Sequence, residues 1–281
     1  MPTDRGTRTI EKVLSMLEKN IGMFVSGADM ADSIGISRNA VWKAIRELRQ
    51  RGYCIESITN KGYRLSDRSD IISAEGIKAY IDPERASLAD NIIIFESIDS
   101  TNDRAKELAV RGAEHGTCIV AARQEGGRGR KDHRFYSPEG GIYMSVILAP
   151  DRILFSKNDA ITAWVGVSVC KAIAGLTGLT PTIQGINDLY LDGKKICGIL
   201  IESGSEFDSG TLQWIVVGIG INFDPDITEF PEELREKAAG LFAPGRGEIS
   251  KNRLIAAILE NIGRTEYADE KAVMKEYKRW R

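Results

Sequence analysis

Histidine is scarce in this sequence, with His115 and His133 the 2 present in 281 residues. Histidine metal triads and Ser-His-Asp catalysis therefore have almost no material. Cysteine is nearly as sparse. Cys54, Cys118, Cys170 and Cys197 stand far apart with no C-x-x-C pair, which argues against a zinc site and a disulfide framework and makes the cytoplasm the default setting. Long apolar runs are missing too. The most apolar stretch, 160–176, is broken by Lys171 and counts as too short for a bilayer, so it reads as a buried helix and no membrane partner is expected. The opening MPTDRGTRTIEK has no apolar core behind its charges, which excludes a signal peptide. Net charge is small, at -2, so the chain does not coat nucleic acid over its whole surface.

What is present begins with size. A chain with 42% hydrophobic and 28% charged residues can bury a core, and its length fits about two folded units. Charge divides along the same line: residues 1–66 carry 11 Lys and Arg against 7 Asp and Glu, while residues 67–281 carry 27 against 33. A basic head on an acidic body implies two jobs. In the head, Ile10, Val13, Leu14 and Leu17 fall at helical spacing. A second short helical pattern covers 27–33. Ser37 is placed to cap a third helix that buries Val41, Ala44, Ile45 and Leu48 and ends at Gly52. The run YCIESITNKGYRL then alternates around an Asn-Lys-Gly turn and reads as a hairpin. That order describes a winged helix-turn-helix, whose third helix enters the major groove. Ser37, Arg38, Asn39, Lys43, Arg46 and Gln50 are its candidate DNA contacts. Lys43 and Arg46 suit phosphates or guanine, and Asn39 and Gln50 suit adenine edges.

Residues 67–75 (DRSDIISAE) are polar and without a core pattern. They are the expected linker between a domain at 1–66 and another at 76–281. Beyond them NIIIFESI, TCIVAARQ, GIYMSVILAP, DLYL, KICGILIESG and LQWIVVGIGINF read as strands, and 101–111 and 160–176 as helices. The spacing predicts an α+β domain with a mixed or antiparallel sheet and helices on one side.

Three stretches carry chemistry. In ESIDSTNDRAKELA a strand ends at Asp99, and Ser100 or Thr101 caps a helix whose free N–H groups can hold a polar ligand. In RQEGGRGRKDHRFYSPEGG, Gly126, Gly127 and Gly129 let the backbone approach a ligand, while Arg128, Arg130, Lys131 and Arg134 bring positive charge. The third glycine of a dinucleotide fingerprint is missing, and no G-x-x-x-x-G-K-[ST] occurs in the chain. In QGINDLYLDGKKICGILIES and the later VVGIGINF, Asp192-Gly193 makes a hairpin turn, Lys195 begins the returning strand, and Gly198 permits close contact.

In order along the chain, SRNAVWKAIRELRQRGYCIESITNKGYRL, D-S-T-N, Q-x-x-G-R-G-R, F-Y-S-P-E-G-G, N-D-L, G-K-K-x-x-G-I-L-I-E and G-I-G-I-N resemble the biotin protein ligases of the two-function type, which carry an N-terminal DNA-binding domain. The resemblance implies activation of biotin by ATP to biotinyl-AMP, then transfer to one lysine of a biotin carboxyl carrier domain. On that resemblance Ser100, Thr101, Asn102 and Gln124 hold biotin, and the loop of Gly127, Arg128, Gly129 and Arg130 folds over the adenylate. Gly198 lies beside biotin. Lys195 pairs with the carboxylate and then the phosphate. Asn187 and Asn222, with Arg130 and Lys195, place ATP directly or through Mg²⁺, whose ligands stay unassigned. Arg128, Arg130 and Lys195 are the catalytic cations, and Asp188 orients or deprotonates the incoming lysine. The resemblance also implies a ligand-bound homodimer on operator DNA that represses transcription, because the adenylate orders loops at a dimer interface.

Three departures qualify it. Where the family usually has Lys-Trp-Pro, this chain has Gln184, Gly185 and Ile186, which removes a positive charge near the nucleotide and would slow adenylation. The loop's usual Arg-x-Trp appears as His133, Arg134, Phe135. Family members continue past the KRWR at 278–281 into a small β-barrel, and without it closure over ATP is expected to be incomplete unless another subunit supplies it. These departures keep open a biotin-sensing repressor with weak or no ligase turnover. A lipoate ligase shares the general fold, but the basic head and the G-R-G-R loop speak against it.

Overall fold

The computed structural model describes residues 4–66, 69, 71–82, 91–130, 133–153, 158–205, 211–245, 249–265 and 269–281. Lys131 of the basic loop and residues 67, 68 and 70 of the expected linker lie outside them. The chain divides into two compact units, Met1–Tyr80 with Ser250–Arg253, and Ile81–Ile249 with Leu254–Arg281.

In the first unit, helices α1 (Asp4–Lys19), α2 (Gly27–Ile34) and α3 (Arg38–Gln50) precede a hairpin of β1 (Ile55–Ile58) and β2 (Gly62–Leu65), and α4 (Ala74–Tyr80) follows. Their apolar stripes meet in a core that includes Leu14, Leu17, Met30, Val41, Ile45, Leu48 and Leu65. Ser37 caps α3, its hydroxyl accepting from the Ala40 amide at 3.2 Å. Val25 and Tyr63 exchange main-chain hydrogen bonds at 2.8 and 2.9 Å, which ties the hairpin to the start of α2. That approach demands Gly62. Its φ is +104°, and a Cβ there would collide with the Val25 carbonyl. Gly62→Ala is expected to destabilise the first unit by about 1–3 kcal/mol. Calorimetry should show its transition moving down; an unmoved midpoint would refute the steric argument.

The division falls after Tyr80 instead of across 67–75. α4 packs with α1: Ile77 is fully buried, and Tyr80 donates its hydroxyl to the Glu18 carbonyl at 2.7 Å. Asn252 joins the same unit, accepting from the Ser73 amide at 3.0 Å and donating to the Ile71 carbonyl at 2.9 Å. The local polarity of 67–75 held no trace of a partner some 180 residues away in sequence.

The second unit is built on a seven-stranded sheet of order β3-β4-β5-β9-β8-β7-β6. Its strands are β3 (Ile92–Ile98), β4 (Cys118–Gln124), β5 (Gly141–Leu148), β6 (Thr182–Gln184), β7 (Asp188–Leu191), β8 (Lys194–Ser205) and β9 (Leu212–Asn222). β3 and β4 run parallel around α5 (Thr101–Val110), and the other neighbours are antiparallel, so the sheet is mixed as expected. Helices α6 (Asn158–Thr177), α7 (Glu232–Arg235), α8 (Lys251–Thr265) and α9 (Glu270–Tyr277) complete the order.

The helices do not share one side. Gly198 pairs with Gly220, so Gly198, Gly218 and Gly220 share a face. On that face Ala105 of α5 packs with Ile119, Ile147 and Val216. Ile199, the next residue of β8, points the other way and approaches Gly166 of α6. The expectation of helices on one side is thus corrected, because strand alternation offers an apolar surface on both faces. α6 is long and apolar enough to cross a bilayer. Counting 160–176 as too short therefore missed its full 20 residues. Trp164, Val165, Val169 and Ile173 are nevertheless buried in the unit, as a core helix requires.

Candidate functional site

Above the glycine-bearing face lies a cavity of about 240 Å³. The end of β3 turns into α5 at its rim, and Ser100 is the N-cap, its hydroxyl accepting from the Asp103 amide at 3.3 Å. That decides between the two cap candidates. Thr101 donates to the Gln124 amide oxygen from its main-chain N–H at 2.8 Å and from its hydroxyl at 3.0 Å. Gln124 in turn donates to the Ser137 hydroxyl at 3.0 Å. Below, the buried Ser145 hydroxyl donates to Asn102 Oδ1 at 2.6 Å and lies 2.8 Å from Thr101 Oγ1. Ser100, Thr101, Asn102 and Gln124 are therefore locked before any ligand arrives, which lowers the ordering cost of binding.

The glycine-rich loop folds back on itself. Gly129 donates to the His133 carbonyl at 2.7 Å and Phe135 donates to the Gly127 carbonyl at 2.9 Å. A Cβ on Gly127 or Gly129 would strike the loop's own carbonyls at Phe135 and His133. These two glycines serve the loop's internal packing. Gly127 does not line the 240 Å³ cavity, whereas Arg128, Gly129 and Arg130 do. Arg128 pairs with Asp103 at 2.9 Å, and Arg130 donates to Asn187 Oδ1 at 3.1 Å. Across the cavity Lys195 Nζ is 2.8 Å from Asp188 Oδ1, which also accepts from Asn187 Nδ2 at 2.8 Å.

Gly198 lines the cavity, yet its open space is taken by Phe135. A Cβ on Gly198 would be 3.0 Å from that ring, and one on Gly220 would be 2.6 Å from it. Phe135 thus floors the site where the family's tryptophan is expected, with Lys195 Nζ 5.7 Å from its ring centre. Asn222 stands apart from the cavity wall. It is buried, its Nδ2 reaches the Lys195 carbonyl at 3.5 Å, and its Oδ1 has no partner among the described residues. Its visible role is to hold the Lys195 backbone from behind.

Sequence reading missed Asp103, Lys106 and Glu202. Lys106 reaches Asp103 and Glu202, each at 2.8 Å, and Glu202 also accepts from Asn102 at 2.8 Å. The i, i+3 spacing of Asp103 and Lys106 on α5 was the available signal. Burial pushes the Asp103 carboxyl up, but hydrogen bonds from Lys106 and Arg128 outweigh it and hold the group below the ordinary carboxylate value. Its contribution is therefore complete above that ordinary value and is lost as pH falls through the depressed one. Asp103→Asn should weaken the hold on Arg128 and raise amide exchange in residues 126–130 a few-fold, as suits a half-exposed pair. The parent loop should loosen in the same way in strong acid. Equal exchange in both proteins at neutral pH would deny the latch.

The buried cysteines add nothing reactive. Burial pushes the Cys118 and Cys170 thiols up to about 12, so both stay protonated. In the first unit the expected DNA contacts, from Ser37, Arg38 and Asn39 to Lys43, Arg46 and Gln50, are exposed on and just before α3. The α3 core stripe of Val41, Ala44, Ile45 and Leu48 is buried. Arg49 ties α3 to the hairpin through the Ile55 carbonyl at 2.9 Å.

The model of the biotin/lipoate A/B protein ligase family matches residues 94–222, and an HTH domain model matches residues 9–64. The bifunctional ligase/repressor BirA of Bacillus spizizenii is 37% identical over 253 residues, 89% of this chain and 76% of that protein. The chain belongs to the biotin/lipoate A/B protein ligase family. BirA of Escherichia coli (strain K12) is 30% identical, over 75% of this chain and 62% of its own. Among solved structures, the biotin protein ligase of Aquifex aeolicus in complex with biotin and ATP matches with a TM-score of 0.56 and 29% identity, over 67% of this chain and 77% of that one. A biotin protein ligase of Leishmania major, 21% identical, shares the fold. The family's matched segment spans α5, the glycine-rich loop, Lys195 and Asn222, and so encloses the whole cavity.

Proposed function

We propose that this ligase-family protein activates biotin with ATP to biotinyl-AMP, passes the biotinyl group to a lysine of a biotin carboxyl carrier domain, and represses transcription when ligand-bound. The observation that carries the proposal is the convergence of Arg128, Arg130 and Lys195 on one small cavity beside the N-terminus of α5. Two anions must meet there. The biotin carboxylate attacks the α-phosphorus of ATP, the bond to pyrophosphate breaks, and repulsion between the reactants has to be offset by cations and N–H donors.

Ser100, Thr101, Asn102 and Gln124 hold the biotin ring. The loop cations cover the phosphates, and Arg130 with Asn187 reaches the nucleotide side. When Lys195 turns from Asp188 to the phosphate of the forming acyl-phosphate anhydride, it frees that carboxylate. Asp188 then takes the proton of the incoming lysine, whose amine attacks the acyl carbon and expels AMP. Among the described residues no group of three His, Cys, Asp or Glu gathers to hold a metal ion. Mg²⁺ would enter with ATP, whose phosphates and bound water can supply most of its ligands, and its protein ligands stay unassigned. The protein works in the cytoplasm, and the liganded form binds operator DNA as a homodimer through Arg38, Asn39, Lys43, Arg46 and Gln50 of α3.

Pyrophosphate release from biotin, ATP and Mg²⁺, followed with and without a carrier domain, tests the enzymatic part. Turnover that depends on the carrier supports the ligase. Biotin binding without turnover returns the protein to a biotin sensor, the reading that Gln184 in place of the family's usual lysine keeps open. Preferential competition by lipoate would overturn both.

A further inference from the structure

The outward face of α3 carries a side chain that its core does not explain. Trp42 is 48% exposed, although the buried stripe of the helix is complete without it. One turn on, the Arg46 guanidinium lies over the indole, 5.1 Å from the ring centre. A single exposed aromatic is ordinary on a protein surface. An indole in contact with a candidate base-reading arginine, in the helix placed to enter a groove, is a more specific arrangement. The contact restrains the guanidinium before binding, so less side-chain freedom is lost when it docks.

The major groove offers one apolar group, the C5-methyl of thymine, while guanine offers the paired acceptors that an arginine fork fits. We infer that Trp42 is a specificity-determining residue that packs against a thymine methyl next to the guanine taken by Arg46. This rests on the DNA-binding reading of α3. The pair reads two adjacent bases as a unit, the arginine by hydrogen bonds and the indole by contact.

The test uses the full-length protein with biotin, ATP and Mg²⁺. Duplexes are first selected from a random library. Each thymine of the selected half-site is then replaced by deoxyuridine, which deletes only the methyl group. In the parent protein one such position should weaken binding about fourfold, the worth of one buried methyl. In Trp42→Ala that loss should vanish, and in Trp42→Phe it should shrink. Placing 5-bromodeoxyuridine at the same position should give a photocrosslink that maps to Trp42, a readout needing no variant. Selection of duplexes with no methyl-sensitive thymine, an undiminished effect in Trp42→Ala, or a crosslink elsewhere overturns the inference while leaving DNA binding intact. Failure to select any duplex removes the DNA-binding reading itself, and the inference with it.

Discussion

Lys195→Ala is expected to lower kcat/KM for adenylation by about 10²- to 10³-fold, the usual consequence of removing one preorganised charge from the site of anion development. The fold should survive. Lys195 Nζ pairs with Asp188 at 2.8 Å, and both side chains keep about a quarter to a third of their surface in water, so the pair adds about 1 kcal/mol or less. Lys195→Arg should not rescue the loss. The ammonium sits near the face of Phe135 beside Gly198, and a planar fork would bind Asp188 in bidentate fashion instead of swinging to the phosphate. The measurement is pyrophosphate release alongside a thermal melt. An Ala variant within about threefold of the parent would show that the loop arginines alone neutralise the phosphate.

What the sequence could and could not disclose follows from the range of each signal. α3 was legible because a capping serine, a 3.6-residue apolar stripe and a following hairpin are all local. The long strands β5, β8 and β9 were legible because each runs eight residues or more. β6 was missed, since three residues carry no period. Gly198 was recognised as a point of close approach, but what approaches is Phe135, more than sixty positions away in the chain. The glycines of the basic loop misled in the same sense. Their need comes from the loop closing on itself at His133 and Phe135, a fact of backbone path that composition cannot carry. Asn222 was picked for its place in a motif, yet its contact is with the Lys195 carbonyl, so its influence on the nucleotide would pass through the lysine.

The largest effect on stability should come from Gly218→Ala. A Cβ at this position would drive into the Asn102 amide, which accepts from the buried Ser145 hydroxyl at 2.6 Å and donates to Glu202 at 2.8 Å. The amide cannot give way cheaply, because moving it breaks both bonds, the one to Ser145 fully buried. Glu202 would keep Lys106 and the Ser145 hydroxyl would keep Thr101 Oγ1, but the buried Asn102 amide would lose both its partners. Overpacking and an unsatisfied buried group together should cost about 2–4 kcal/mol, and biotin binding should be lost with the displaced wall of the cavity. Pairing the change with Asn102→Ala distinguishes a clash from a general weakness of β9. The double variant should be less destabilised than the sum of the two singles, since the deletion removes the atoms that collide. Binding should stay absent, because neither change restores the amide. Strict additivity would place the need for glycine in the strand backbone instead of in the contact with Asn102.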